Sequence, residues 1–206
     1  VIDLLVATTN AGKFAEVQAF LGKLPLQIIA LTSLVSPPKV VEDGRTFEEN
    51  ALKKARVLAG FSGLPTLADD SGLEVDCLQG APGIYSARYA GEDADDDRNN
   101  QKLLRKLENV SEENRAARFV CALALCFPGA AGMNEWTVRE SCEGRIAFGL
   151  CGSQGFGYDP LFFYPPFGKT FGEITREEKT AVSHRGKALK RLAEALPSLL
   201  DKTTKP

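Results

Sequence analysis

An α/β fold with a mixed sheet and flanking helices is what the sequence predicts, and three observations carry that expectation. The chain opens in strand-helix-strand order, its middle holds two long apolar runs around a Gly-rich turn, and its helical stretches are punctuated by threonine caps and a terminal glycine. With 206 residues, 44% of them hydrophobic, the length suits one domain over 1–206, or two lobes around one cleft, with a substantial core. No internal repeat, low-complexity tract or linker divides the chain.

In chain order, "IDLLVA" reads as a buried strand, and Phe14, Val17, Leu21 and Leu24 then recur at helical spacing, which makes "TTNAGK" a strand-to-helix loop. "LQIIAL" is a second strand. "TFEENALKKARVLAGFSG" begins on a threonine cap, has Glu49 three residues later and ends at glycine, the signature of a capped helix. Its apolar stripe is Phe47, Ala51, Ala55 and Leu58; at about 100° per residue, Lys54 falls inside the stripe and Lys53 outside it. An inward lysine needs an anionic or polar partner.

"PTLADD" is a strand that turns at Ser71-Gly72, and "GAPGIYSARYAG" is a loop. "DADDDRNNQKLLRKLENV" is an exposed helix whose acidic start suits the helix dipole. "ARFVCALALCF" and "EWTVRESCEGRIAF" form a hairpin. "GSQGFGYDPLFFYPPFGKTF" is a loop leading to Thr175, which pairs with Glu178 as a capping box before the last helical region, where Leu189, Leu192, Ala193 and Leu196 supply the core face.

A net charge of −2 gives no electrostatic footprint for nucleic acid or an acidic membrane, so an anionic ligand must be small and held by a few local cations. Five cysteines without a CxxC pair, beside a single histidine, do not make a zinc framework; they read as reduced core thiols of a cytoplasmic protein. "VIDLLVA" is too short for a membrane span or the apolar region of a signal peptide, and no membrane partner or export is expected.

Several stretches carry chemistry. "TTNAGK" offers backbone N–H groups at a helix start, two hydroxyls, an amide and Lys13, a set suited to phosphates, although GxxxxGK[ST] is absent and an ordinary capped turn has the same composition. Asp70 and Glu42, from separate segments, are candidate magnesium ligands, and a carboxylate beside the metal could orient or deprotonate water. Asp69 and Asp70 are adjacent, so on a strand they point to opposite faces and only one easily enters a shared site; the alternative has both capping a turn. "GFGYDP" has glycines for close approach, aromatic surfaces in Phe156 and Tyr158, and an acceptor in Asp159. "SHRGKAL" puts His184 and Arg185 in a helix's first turn, where cations are unfavourable unless an anion or carbonyl compensates.

Taken in order, "ATTNAGKFAE", "EDGRTFEENALKKA", "LADDSGLEVD", "GAPGIYSARYAG", "EGRI", "GFGYDPLF" and "EEKTAVSHRGKAL" resemble the inosine triphosphate pyrophosphatase family over nearly the whole chain. The resemblance implies magnesium-dependent hydrolysis of ITP, dITP and XTP to the monophosphate and pyrophosphate, by a homodimer whose two lobes flank a deep active-site cleft. Carried over position by position, it implies a phosphate loop of Thr8, Thr9, Asn10, Ala11, Gly12 and Lys13, metal carboxylates Glu42 and Asp70, Asp70 as proton acceptor, and Lys54 approaching the phosphates. It also implies substrate contacts from Ser71, and a nucleoside pocket of Phe156, Gly157, Tyr158, Asp159, Lys179, His184 and Arg185. Asp69 is then expected to face away and hold the turn or its loop.

Hydrogen-bond polarity offers a way to exclude adenine, whereas guanine shares O6 and N1–H with hypoxanthine, so its exclusion must depend on its 2-amino group. Hypoxanthine and xanthine present an O6 acceptor and an N1–H donor, and adenine reverses both; Lys179, His184, Arg185 or backbone N–H groups would serve O6, with Asp159 or a carbonyl at N1. Sites whose polar groups the wrong ligand leaves unpaired discriminate by about 10⁴–10⁵. Two other readings are a nucleotide sensor without turnover, against which Asp70, Glu42 and Lys54 argue, and a metal-dependent nuclease or general phosphatase, which the acidic charge and the aromatic loop disfavour.

Overall fold

A computed structural model describes residues 2–129 and 132–203. Its strands are β1 (Ile2–Val6), β2 (Leu26–Ala30), β3 (Thr66–Val75), β4 (Ala116–Gly129), β5 (Gly132–Ile146), β6 (Phe162–Tyr164) and β7 (Lys169–Thr170). Its helices are α1 (Ala11–Leu21), α2 (Phe47–Ser62), α3 (Asp96–Lys106), α4 (Arg176–Val182) and α5 (His184–Thr203). The strands form one seven-stranded sheet in the order β2-β1-β3-β4-β5-β6-β7. β1 pairs in parallel with β2 and β3, and β6 pairs antiparallel with β5 and β7. The sheet is therefore mixed, as the sequence predicts.

The α/β character begins at β1, where Leu4, Leu5 and Val6 are all buried, as expected of a strand with parallel neighbours on both sides. Asn10 then caps α1, its side chain accepting from the Lys13 N–H at 2.9 Å. Thr46 does the same for α2 by accepting from the Glu49 N–H at 3.1 Å, while the Glu49 carboxylate reaches past the cap to the Arg45 N–H at 2.6 Å. Gly63, with φ of 69°, closes α2 in the left-handed conformation that glycine adopts without a Cβ penalty.

The chain separates into two compact units. The first comprises Val1–Asp70, Cys121–Glu140 and Arg185–Pro206, and the second Ser71–Val120 and Ser141–His184. Each has its own core. In the first, Leu4, Val6, Val17, Leu67, Leu123 and Leu189 pack with further apolar residues; in the second, Leu73, Leu103, Phe119, Leu161, Phe162 and Phe171 do so. Each fully buried leucine or phenylalanine contributes about 1.5–3 kcal/mol of transfer free energy.

Four local expectations change. β3 does not turn at Ser71-Gly72 but continues to Val75, because Leu73 and Val75 are fully buried and keep the strand's inward alternation going. The segment after Gly152 is not all loop: β6 and β7 lie in it, but at three and two residues they are too short to show a period in the sequence. α3 is exposed on one side only, since Asn99, Asn100 and Leu103 are buried. The last helical region is two helices separated at Ser183, which is extended with ψ of 160°. Residues 130–131 of the expected Gly-rich turn lie outside the described residues.

Candidate active site

In the first unit, α2 presents Asn50 and Lys54 one turn apart on its buried face. Lys54 occupies the inward position that the helical spacing predicts, while Lys53, outside the stripe, pairs with Asp43 at 2.5 Å on the surface. The Lys54 Nζ donates to the Asp69 carbonyl at 2.7 Å and stands 3.4 Å from Asp70 Oδ1 and 3.3 Å from Glu42 Oε1. The two carboxylates proposed as metal ligands from the sequence thus share one ammonium group. That arrangement places two hard-oxygen donors together, the kind and number magnesium takes from a protein while substrate phosphates and water fill its other positions. Among the described residues no group of three or more His, Cys, Asp or Glu side chains could hold a metal alone.

Asp69 and Asp70 are both buried, at 5% exposure each, yet their surroundings differ as strand alternation requires. Asp69 is paired with cations from two other segments. Its Oδ1 is 2.6 Å from Lys13 Nζ, and its Oδ2 accepts from Arg185 Nε at 2.8 Å and from the Cys121 thiol at 3.2 Å. Burial opposes ionisation of this carboxyl, but Arg185 and Lys13 outweigh it and hold its pKa well below the usual carboxylate range. Asp70 goes the other way: burial raises its pKa, with Lys54 and Lys13 opposing and Glu42 adding to the rise. The group proposed as proton acceptor is therefore the more basic of the two.

Residues 8–13 form a capped turn into α1, the alternative that their composition also allows. Thr8 Oγ1 accepts from the Asn10 N–H at 3.1 Å, Asn10 caps α1, and Ala11 and Gly12 begin the helix, so the first-turn N–H groups sit at the helix's positive end. Thr9 is exposed. Lys13 is turned toward Asp69. Arg185 is 2% exposed and bonds Glu16 at 2.5 Å as well as Asp69; the anion expected to compensate a cation in the first turn of α5 is a pair of the protein's own carboxylates.

In the second unit, the "GFGYDP" segment folds around Asp159. Its Oδ2 accepts from Lys179 Nζ at 2.6 Å and from the Phe156 N–H at 2.9 Å. Gly155, with φ of 78°, passes so close to this carboxylate that a Cβ there would lie 2.0 Å from it. Lys179 stands 4.6 Å from the centroid of the half-buried Phe156 ring. Tyr158 donates to the Ser86 carbonyl at 2.8 Å, and its phenol, pushed up in pKa mainly by burial, stays protonated. His184 stacks on Phe119 with centroids 4.8 Å apart. Ser71, half-buried, directly follows Asp70 on β3.

Three residues that contact these groups escape the sequence reading. Asn50 touches both Asp70 and Gly44. Asp96 and Asn100 on α3 hold both backbone polar groups of Gly157, the first accepting from its N–H at 2.7 Å and the second donating to its carbonyl at 2.9 Å. Asparagine on the buried face of a helix was the available signal.

Comparison with known proteins shows the family. The sequence model of the Ham1 family matches residues 4–195. A dITP/XTP pyrophosphatase of Exiguobacterium sibiricum is 50% identical over 199 residues, covering 97% of this chain and 99% of that protein. One of Geobacter sulfurreducens is 52% identical over 193 residues, covering 94% and 96%. The solved structure of a HAM1 protein from Coxiella burnetii superposes with a TM-score of 0.86 at 41% identity, covering 96% of this chain and all of that one.

Proposed function

Because the chain belongs to the Ham1 family, we propose that it is a nucleoside triphosphate pyrophosphatase that hydrolyses dITP, XTP and ITP to the monophosphate and pyrophosphate, removing deaminated purines from the nucleotide pool. The observation that carries this reading is the group formed by Glu42, Asp70 and Lys54 in the first unit, in a chain half identical to proteins named dITP/XTP pyrophosphatase. Glu42 and Asp70 would hold Mg²⁺, which, when bound, supplies charge neutralisation and polarisation at the phosphate oxygens.

The chain's own residues do the rest. The first-turn N–H groups of α1 and the Lys13 and Lys54 ammonium groups bind the phosphate chain and offset its charge. Asp70, the more basic carboxylate, accepts the proton of a water whose oxygen bonds to the α-phosphorus. The α–β anhydride bond breaks and pyrophosphate leaves. In the second unit, the Phe156 face and the ammonium of Lys179 are the features suited to a purine. Ser71, Gly157, Tyr158 and His184 complete the substrate contacts that the resemblance implies.

Incubation with ITP, dITP, XTP, ATP and GTP in the presence of Mg²⁺, with product identification, tests this reading. Monophosphate and pyrophosphate from the first three, lost on chelation, are expected; orthophosphate or no turnover would overturn it. Lys179→Ala should reduce the preference for ITP over ATP at least tenfold. Arg185→Ala should act mainly through the ion pairs with Asp69 and Glu16, and an unchanged preference in both variants removes the side-chain donor model. The same reading includes a cytoplasmic homodimer. Five unbonded cysteines support the reducing compartment.

A further inference from the structure

One amide in the first unit joins two stretches of chain that are far apart in sequence. Asn50, 1% exposed, donates from Nδ2 to Asp70 Oδ2 at 3.1 Å and accepts at Oδ1 from the Gly44 N–H at 2.8 Å. Gly44 lies two residues from Glu42, and any side chain there would collide with this contact, since a Cβ would sit 2.7 Å from Asn50 Oδ1. One helical turn further on, Lys54 makes the parallel connection, reaching Glu42 with the same ammonium that meets Asp70 and the Asp69 carbonyl. Two rungs of α2 therefore tie the Glu42 segment to β3.

The two rungs are chemically different. Lys54 brings a charge that would compete with a cation for the carboxylates. Asn50 is neutral, uses a donor on one side and an acceptor on the other, and occupies Asp70 Oδ2 alone. It thereby holds the plane of the carboxylate and leaves Oδ1 to Lys54, which also meets Glu42. Burying an amide is unfavourable unless it is hydrogen-bonded, and a leucine on this helix face would pack without that requirement. What an amide does here that leucine would not is hold two segments in register.

We propose that Asn50 is a positioning residue that sets the separation and orientation of Glu42 and Asp70 for the divalent cation. The inference rests on the metal reading above. Partners that orient metal-binding carboxylates are worth 10–100-fold in metal affinity or activity. Asn50→Ala removes both contacts, and Asn50→Ser supplies a hydroxyl too short to span both segments.

The test is titration of wild-type protein and both variants with Mn²⁺ alone, following free Mn²⁺ by electron paramagnetic resonance, with far-ultraviolet circular dichroism as the folding check. The expected result is a tenfold or greater rise in the Mn²⁺ dissociation constant in a folded variant, with no further rise when Asn50→Ala is added to Asp70→Asn. A change below twofold, a loss that adds fully to that of Asp70→Asn, or failure of both variants to fold would overturn the proposal, the last by assigning Asn50 to the core. Pyrophosphate release by the wild-type protein is measured separately: its absence would remove the proposed activity while leaving the Mn²⁺ comparison intact. A wild-type protein that holds no Mn²⁺ would remove the metal reading with the inference.

Discussion

At the scale of single residues, the adjacent acids Asp69 and Asp70 illustrate how alternation along a strand gives neighbours opposite work. Asp69 is committed to Lys13 and Arg185, whose charges keep it ionised against its burial. Removing one partner of a buried ion pair costs about 3–5 kcal/mol, because the other charge stays buried and uncompensated. Asp69→Asn should therefore lower the unfolding free energy by about that amount, read from urea denaturation, and lose activity with it. Asp70 is different, since burial disfavours its charge and raises its pKa. Asp70→Asn leaves Lys54 with Glu42 and the Asp69 carbonyl, so it should lower stability by less than Asp69→Asn does while pyrophosphate release disappears. Substantial remaining turnover in Asp70→Asn would assign the proton acceptor elsewhere.

At the scale of elements, α3 has a part that its composition conceals. The acid run "DADDD" reads as a solvated, dipole-matched helix start, and Asp95 does cap the helix by accepting from the Arg98 N–H at 2.8 Å. The next residue, Asp96, instead takes the N–H of Gly157, and Asn100 one turn later takes its carbonyl. Both peptide planes around Gly157 are thus anchored to one helix, which fixes the Phe156 ring before it and Tyr158 after it. Losing one such hydrogen bond costs about 1 kcal/mol. Asp96→Ala should accordingly raise the KM for ITP about fivefold with kcat little altered, and Asp96→Asn, which retains an acceptor oxygen, should restore most of it; equal kinetics in the alanine variant would show that the loop holds itself. Local pattern was enough to find α2, its threonine cap and the inward Lys54, because helix period and capping chemistry are written within a few consecutive residues. It was not enough to find Asn50, Asp96 or Asn100, since each acts on a segment distant in sequence, and β6 and β7 are too short to carry a period. At Ser71-Gly72 turn-forming residues lie inside β3, which continues to the buried Leu73 and Val75, and local composition does not reveal that continuation.

For the whole molecule, the five cysteines report on packing and on redox state together. None is bonded to another: Cys77 and Cys151 are exposed, and Cys121, Cys126 and Cys142 are buried. Thiolates rather than thiols react with alkylating reagents, so reactivity requires access and is suppressed where burial raises the pKa. Burial pushes the Cys126 thiol up to about 12, with Glu135 adding to the rise, and lifts Cys121 well above its usual value, where Asp69 contributes further. Near pH 8 both would remain protonated even if a reagent reached them. Cys142 has no exposed surface and lies in the core of the second unit. Brief iodoacetamide treatment of the native protein should therefore label Cys77 and Cys151 only, and treatment in guanidinium chloride should label all five, as read by intact mass and peptide mapping. Neither exposed thiol belongs to the groups assigned to phosphate, metal or base, so the doubly labelled protein should retain its rate of pyrophosphate release. Rapid native labelling of Cys121 would contradict the packing around Asp69 and Arg185 directly, because that thiol lies 3.2 Å from the Asp69 carboxylate in the middle of the charged cluster.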